Sequence, residues 1–469
     1  MISKKRSRFT VWMLPLLTGL SAVMFLWPNP EGLPLAGQRT LAIAILAVGL
    51  WSTDLLPMAV TGMAVVVMLV LFGAVDTYQS ALYGFAQPVA YFLIGVLTIG
   101  LAVSKSGLAN RMARFFLHRC RGQRQTLYTQ LLLAFPALTL VLPSATTRTG
   151  ILIHVYAQAL DLSGVRPDSH LSRAIMMALN SINRLASTIL LTGGITPVVS
   201  ASLIGQVSWS RWFVLMSVPY VVLLLVGALL IYGLYRRGFK GAPLTVPEID
   251  AEPLSSAERR TIAIAVGASL LWLTDAWHQW HPALPALLAW ICLLSPKIGV
   301  MSWREFEHEI GWSNFFVLAS SLSLANTLIH SGAGAWLATR LMQQVPAMQH
   351  YPLLTVLGLL VVSTPIRLLI PNITGFLAII IPLAMSIGAT SGLNPIVCGL
   401  LVMIAGDAVL YYPAQSASSL VVHERGFLSA EEIFHFGIVM TVVAYLIVFA
   451  VALPYWTAVG EPLRLPPSM

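Results

Sequence analysis

Apolar residues in this chain run in long blocks separated by short polar breaks, without the strict alternation of half-buried strands. A helix needs about 20 residues to cross roughly 30 Å of hydrocarbon. Blocks on that scale recur near 10–27, 38–57, 58–74, 88–106, 211–235, 258–277, 282–300, 312–332 and 432–455. Four shorter stretches, 126–142, 150–162, 351–367 and 374–390, are too short or too interrupted to read as crossings. They come in pairs flanking centres rich in Pro, Ser, Thr and Asn. This pattern predicts two re-entrant hairpins, 126–162 and 351–390. Two long stretches, 171–205 and 394–420, are broken by Thr192-Gly193-Gly194-Ile195-Thr196-Pro197 and by Tyr412-Pro413-Ala414-Gln415-Ser416, and read as discontinuous helices. The expectation is an all-α integral membrane protein with about eleven crossings and two hairpins.

Composition sharpens this. With 57% apolar and 10% charged residues over 469 positions, the chain lacks the polar surface of a soluble globule of its size. Soluble enzymes and nucleic-acid modules are excluded. The formal +9 charge fits basic loops facing anionic lipid, with no nucleic-acid partner implied. Cys120, Cys292 and Cys398 have no metal-ligand spacing and form no even-numbered framework. The basic start, Met1 to Arg8, mimics a signal peptide, but Trp27-Pro28-Asn29-Pro30 follows where small residues would mark cleavage. A retained first helix, 1–37, with a cytoplasmic N-terminus is therefore expected. Alternation then places Arg111, Arg114, Arg119, Arg121, Arg124, Arg166, Arg173, Arg236, Arg237, Lys240, Arg259, Arg260, Lys297, Arg304 and Arg425 on the cytoplasmic side. Only Arg39, Arg211, Arg340 and Arg464 fall on the other. That asymmetry follows the positive-inside rule and puts a multi-pass chain in the cell (inner) membrane, with its tail, 457–469, outside.

The segment 238–257, rich in Pro, Glu and Ser, divides the chain and reads as a cytoplasmic linker between two halves, 38–237 and 258–456. The halves share landmarks in the same order. Trp51-Ser52-Thr53-Asp54 matches Trp272-Leu273-Thr274-Asp275, and Ser106-Gly107 matches Ser331-Gly332; the hairpin centres Ser144 and Pro371 and the breaks at Thr196 and Ser416 also pair, all at offsets of 220–227. Each copy holds an odd number of full crossings, so the second is inverted. Inverted repeats with paired broken helices mark secondary transporters, which bind substrate near the midplane between the repeats.

Backbone groups freed at a helix break cannot face lipid and must line a cavity or bind a ligand. The tips are Leu142-Pro143-Ser144-Ala145-Thr146-Thr147-Arg148-Thr149-Gly150 and Ile370-Pro371-Asn372-Ile373-Thr374-Gly375. Half-helix N-termini after such tips suit carboxylate or sulfate, and freed carbonyls and hydroxyls suit a small cation. With these tips, both broken helices, Trp51 to Pro57, Ser106 to Arg111 and Phe434-His435-Phe436-Gly437, the chain resembles the divalent anion/sodium symporter family from Leu41 to about Trp456. The resemblance implies a dimeric, elevator-type carrier of dicarboxylates, citrate or sulfate. It implies substrate contacts at Ser144, Ala145, Thr146, Asn372, Ile373, Thr374, Thr196, Pro197 and Ser416. Sodium, the one cofactor it implies, falls to Ser144, Thr146, Gly194, Asn372 and Ser416. Each family tip carries Ser-Asn-Thr and each break a Thr-Pro-Pro-Asn-like loop. Here the first tip is Ser144-Ala145-Thr146, the second keeps only the asparagine in Pro371-Asn372-Ile373, and neither Thr196-Pro197-Val198-Val199 nor Ser416-Ala417-Ser418-Ser419 has an asparagine. Sodium-coupled symport and anion exchange both remain open, with proton coupling or a non-transporting receptor as the alternatives.

Charges deep in a membrane are costly and usually line a cavity or a pair. Arg148 follows the first tip, Arg367 precedes the second, and Arg184 and Asp407 lie in the two broken helices. A guanidinium at Arg148 could hold the substrate anion in two-point contact, with Arg184, Arg367 and Asp407 supplying or balancing coupling charge. His154 reads as a hydrogen-bonded histidine, Asp54 and Asp275 as helix-end residues, and the tryptophans at span ends as an aromatic belt. No His/Asp pair stands beside Ser144 in sequence to activate its hydroxyl, and no Gly-rich Lys-Ser/Thr loop is present. Neither an enzyme nor an ATP-driven pump is expected.

Overall fold

A computed structural model describes residues 8–53, 55–205, 207–245, 253–344 and 350–465, with side chains from residue 15 onward. The basic N-terminal run, Asp54, the middle of the linker at 246–252 and the end of the tail at 466–469 lie outside the described residues. Among the described residues every regular element is helical, apart from one isolated antiparallel bridge between Leu393 and Arg464.

Among the described residues six helices are long and apolar enough to cross a bilayer: Leu35–Thr53, Pro88–Lys105, Trp209–Leu234, Pro352–Leu369, Ile373–Thr390 and Ala430–Ala458. Trp312–His330 and Ala333–Gln344 add a seventh if the pair, bent by 59°, is taken as one span. Full crossings were expected at 58–74 and 282–300, but the helices there are Met58–Leu71 and Ala283–Leu294. The first is stopped by Gly73 at φ +64°, and the second by extended backbone at Ser295 before Pro296. The opposite correction applies to the second hairpin, whose limbs, Pro352–Leu369 and Ile373–Thr390, are each 18 residues. Pro352 sits in the first turn, where its missing N–H costs nothing, and the helices absorb Pro365 and Pro382 in their interiors. The first hairpin is built from Arg124–Thr139 and Ala145–Leu162.

Several helices start in the same way. Ser255 with Glu258, Ser302 with Glu305 and Ser429 with Glu432 form capping boxes that satisfy two otherwise orphaned amides each. Ser106-Gly107 and Ser331-Gly332 share a geometry. In each, a glycine with φ near +80° (86° and 76°) turns the chain from a long helix into a shorter one, Leu108–His118 or Ala333–Gln344.

Packing separates a large core, which contains both hairpins and both broken helices, from a smaller one formed by Leu41, Trp51, Val65, Leu69, Leu324 and their neighbours. The smaller core holds Leu35–Thr53 and Met58–Leu71 against Trp312–His330, a close fit in which a Cβ on Gly62 would lie 2.1 Å from Ser320 Oγ. Where the second hairpin meets this group, Gly375 lies flat on the Trp51 ring; a Cβ there would come within 2.8 Å of it. Exposure divides the tryptophans. Trp27, Trp277 and Trp303 are outward, as a belt requires, but Trp51, Trp212 and Trp456 are fully enclosed. Trp212 Nε1 donates to Thr188 O (3.0 Å) and Trp456 Nε1 to Leu215 O (2.8 Å). Interior carbonyls hold Trp212 and Trp456, and Trp51 is enclosed with no partner for its Nε1, so a position near the end of a span did not place these three in the belt.

Candidate functional site

The four interruptions converge. The first hairpin turns over 140–144 and the second over 370–372, and both turns open onto one cavity of about 510 Å³. The first broken helix runs through a π turn, Ala178–Ile182, and Asn183–Thr188, then breaks across Leu191–Gly193 and resumes as Ile195–Ile204. Pro395–Asp407 breaks through Pro413–Gln415 and resumes as Ala417–Glu424. Both breaks reach the same cavity, and Ser313 and Asn314 of Trp312–His330 close one side.

Four helix N-termini therefore point inward. Ser144 caps Ala145–Leu162 by accepting from Thr147 N (3.2 Å), and Asn372 Oδ1 caps Ile373–Thr390 through Thr374 N (3.0 Å). The helices starting at Ile195 and Ala417 have no side-chain cap: Gly194 has no side chain to offer, and Ser416 Oγ pairs with Ser418 Oγ at 2.8 Å. First-turn amides lack intrahelical acceptors, so this cavity presents N–H groups and the positive ends of four helices to whatever enters. Asn372 Nδ2 is buried without a partner. Such a wall suits a small anion with two or more acidic groups.

Ser144, Ala145, Thr146, Gly194, Thr196, Pro197, Asn372, Ile373, Thr374 and Ser416 all line the cavity, as do Arg184 and Asp407. Arg148 and Arg367 do not. Arg148 is fully buried behind the first tip, where its guanidinium donates to Asn183 Oδ1 (3.0 Å), Asn183 O (3.2 Å), Ser187 Oγ and Leu142 O. Those four bonds occupy four of its five N–H groups, so Arg148 has one donor left, too few for the two-point anion contact expected of it. The reason is local: the turn at 140–144 leaves Leu142 O without a helical partner, and Arg148 is the nearest donor. Arg367 does the same at the second tip, donating to Ile370 O (2.6 Å), Pro371 O (2.8 Å) and Gly406 O (3.1 Å) while lying over the Phe376 ring.

Arg184 bridges the two broken helices. Its Nη2 donates to Asp407 O, with Val409 O at 3.5 Å, and its Nη1 stands 3.9 Å from Asp407 Oδ1, beyond hydrogen-bond length. Nε is buried without a partner. Asp407 Oδ2 accepts from Thr188 Oγ1 (2.7 Å) and Tyr220 OH (3.1 Å). Asp407 is the one carboxylate on the wall among the described residues.

Away from the cavity, His154 lies 2.8 Å from Arg425 Nη2, and Asp275 Oδ2 accepts from Ser210 N (3.0 Å) at the start of Trp209–Leu234. Both match the sequence expectation of a hydrogen-bonded histidine and a helix-end aspartate.

The profile of the sodium:sulfate symporter transmembrane region matches residues 8–461. The chain belongs to that family. Among this family member's relatives, a membrane protein of Cupriavidus necator is 22% identical over 92% of this chain and 90% of its own length. The citrate/succinate antiporter of Escherichia coli K12 is 22% identical over 92% and 95%. The L-tartrate/succinate antiporter of Shigella boydii is 23% identical over 81% and 80%. Among solved structures, the YdaH transporter of Alcanivorax borkumensis superposes with a TM-score of 0.56 at 16% identity, over 97% of this chain and 99% of that one. The fold is that of a membrane transporter, and the family is one of anion carriers rather than enzymes.

Sequence reading missed several residues that build the site. Asn183, Ser187 and Thr188 hold Arg148 and Asp407, Tyr220 reaches Asp407 from another helix, and Gln415 Nε2 ties the second break to Arg367 O at 2.9 Å. The dense polar run from Asn180 to Thr188 inside an apolar stretch was an available signal. Tyr220 carried none, because 187 residues separate it from Asp407.

Proposed function

We propose that this chain exchanges small organic anions bearing two or three carboxylates across the inner membrane, bound between the hairpin tips and the broken helices. The convergence of four inward helix N-termini on one cavity carries this reading. Its volume falls within the roughly 300–1,000 Å³ typical of small-molecule sites. Exchange is favoured over sodium symport by the backbone carbonyls at the breaks. In the family resemblance these elements help hold sodium, whereas here Leu142 O, Ile370 O, Pro371 O and Asp407 O accept from Arg148, Arg367 and Arg184. Fixed guanidinium charge takes the place of a mobile cation. Antiport by the citrate/succinate and L-tartrate/succinate relatives points the same way.

On this reading the two halves, 38–237 and 258–456, are inverted copies, and the matched turns at Gly107 and Gly332 support the duplication. The hairpins and broken helices move as a unit against a scaffold containing Leu35–Thr53, Met58–Leu71 and Trp312–His330, in a homodimer with its N-terminus in the cytoplasm. Proteoliposomes preloaded with succinate, citrate or sulfate test the function. Labelled external anion should enter only when anion is present inside, at equal rates in sodium and choline buffers. Uptake that stops without sodium refutes exchange, and a preference for sulfate over both carboxylates refutes the substrate class.

A further inference from the structure

Arg184 is built differently from the other two intramembrane arginines. Arg148 and Arg367 lie behind the tips, whereas Arg184 is on the cavity wall with two of its three nitrogens uncommitted: Nε lacks a partner, and Nη1 has only the 3.9 Å contact to Asp407 Oδ1. Asp407 is restrained from behind by Thr188 and Tyr220 through Oδ2, so Oδ1 faces the guanidinium without closing on it. A pair enclosed this far from water ordinarily tightens to charge-assisted hydrogen-bond length, near 2.7–2.9 Å. This one is held open on the wall of an anion cavity.

We propose that Arg184 binds one carboxylate of the transported anion, and that Asp407 is a tethered carboxylate that shares the same guanidinium when the cavity is empty. The inference rests on the cavity being the anion site and adds which residue reads the second acid group. The tips and open helix ends offer neutral N–H and O–H donors, and a monoanion can be satisfied by those. A dianion gains a full countercharge only at Arg184, so this residue sets the preference for two acidic groups. When substrate leaves, Asp407 restores a charge-neutral wall and the arginine is never left uncompensated. Because the internal carboxylate competes with substrate, affinity is held down and release is fast.

The test measures exchange KM and maximal rate for labelled succinate in proteoliposomes, together with heat stabilisation of detergent-solubilised protein by succinate, citrate and sulfate. Asp407→Asn keeps the shape that Thr188 and Tyr220 hold but removes the competing charge. It should lower KM for succinate about fivefold or more and slow the maximal rate, which simple damage to the fold does not do. Arg184→Gln should raise KM at least tenfold, with Arg184→Lys in between. An Asp407→Asn carrier whose KM is unchanged or raised, or an Arg184→Gln carrier with wild-type KM, overturns the proposal while leaving anion exchange standing. Wild-type protein that neither exchanges nor is stabilised by any of the three anions overturns both readings.

Discussion

Arg148 shows how a buried charge can be structural without an ion partner. Its guanidinium is anchored by carbonyl, amide and hydroxyl oxygens on the first hairpin tip and the first broken helix. Arg148→Gln should leave several of those acceptors unpaired, at a cost on the order of 1–3 kcal/mol for each buried group. The expected result is a marked fall in melting temperature in detergent, with KM for succinate in the surviving protein within about twofold of wild type, well under the tenfold that corresponds to 1.4 kcal/mol. A tenfold rise in KM with full thermal stability would return Arg148 to the substrate. The sequence showed that an arginine follows the tip, but the number of residues between them does not reveal that its side chain folds back onto Leu142 O. The same limit applies to Trp212 and Trp456. Their place near span ends was legible, whereas their enclosure depends on carbonyls of Thr188 and Leu215 that only the tertiary fold brings near.

At the scale of elements, breaks were legible because they need residues that helices reject: Pro143, Pro371, Gly193, Gly194 and Pro413 each mark one. Helix lengths were less legible, since hydropathy alone does not distinguish a tilted full-length limb from a short one. Gly193 is where the first break is tightest: a Cβ there would lie 2.0 Å from Ser187 O and 2.9 Å from Thr139 Cγ2. Gly193→Ala must push the break away from Ser187, itself a partner of Arg148. Overpacking of this kind costs roughly 1–3 kcal/mol. Both melting temperature and exchange rate should drop, and wild-type values for both would mean that the break is looser than described. A milder effect belongs to the short helix Trp303–Glu309. There the backbone amide of Ser302 and the nearby Lys105 ammonium hold the Glu305 carboxyl down to about 2, from an ordinary 4.5. This stabilisation is present above pH 4.5 and fades as pH falls toward 2, so wild type and Glu305→Gln should converge in melting temperature across that window. The gap at neutral pH should be small, because the group is exposed. A gap that widens on acidification contradicts the assignment.

For the whole molecule, the organisation that matters is the meeting of two cores. One contains the hairpins and broken helices, and the other joins Leu35–Thr53 and Met58–Leu71, early in the chain, to Trp312–His330, more than 200 residues on. The long apolar blocks and their paired breaks made a membrane transporter legible from the chain alone, whereas the Arg184–Asp407 pair needed a fold that brings together residues 223 positions apart. The seam between the cores includes the flat contact of Gly375 with the enclosed Trp51 ring. Any displacement of the second hairpin relative to the scaffold has to uncover or re-cover that indole, whose Nε1 has no partner in the present arrangement. The chain thus carries its own optical gauge. If the second hairpin moves as proposed, a variant retaining Trp51 as its sole tryptophan should change emission wavelength when succinate is added, with no attached dye; an unchanged spectrum would mean that the contact with Gly375 stays closed.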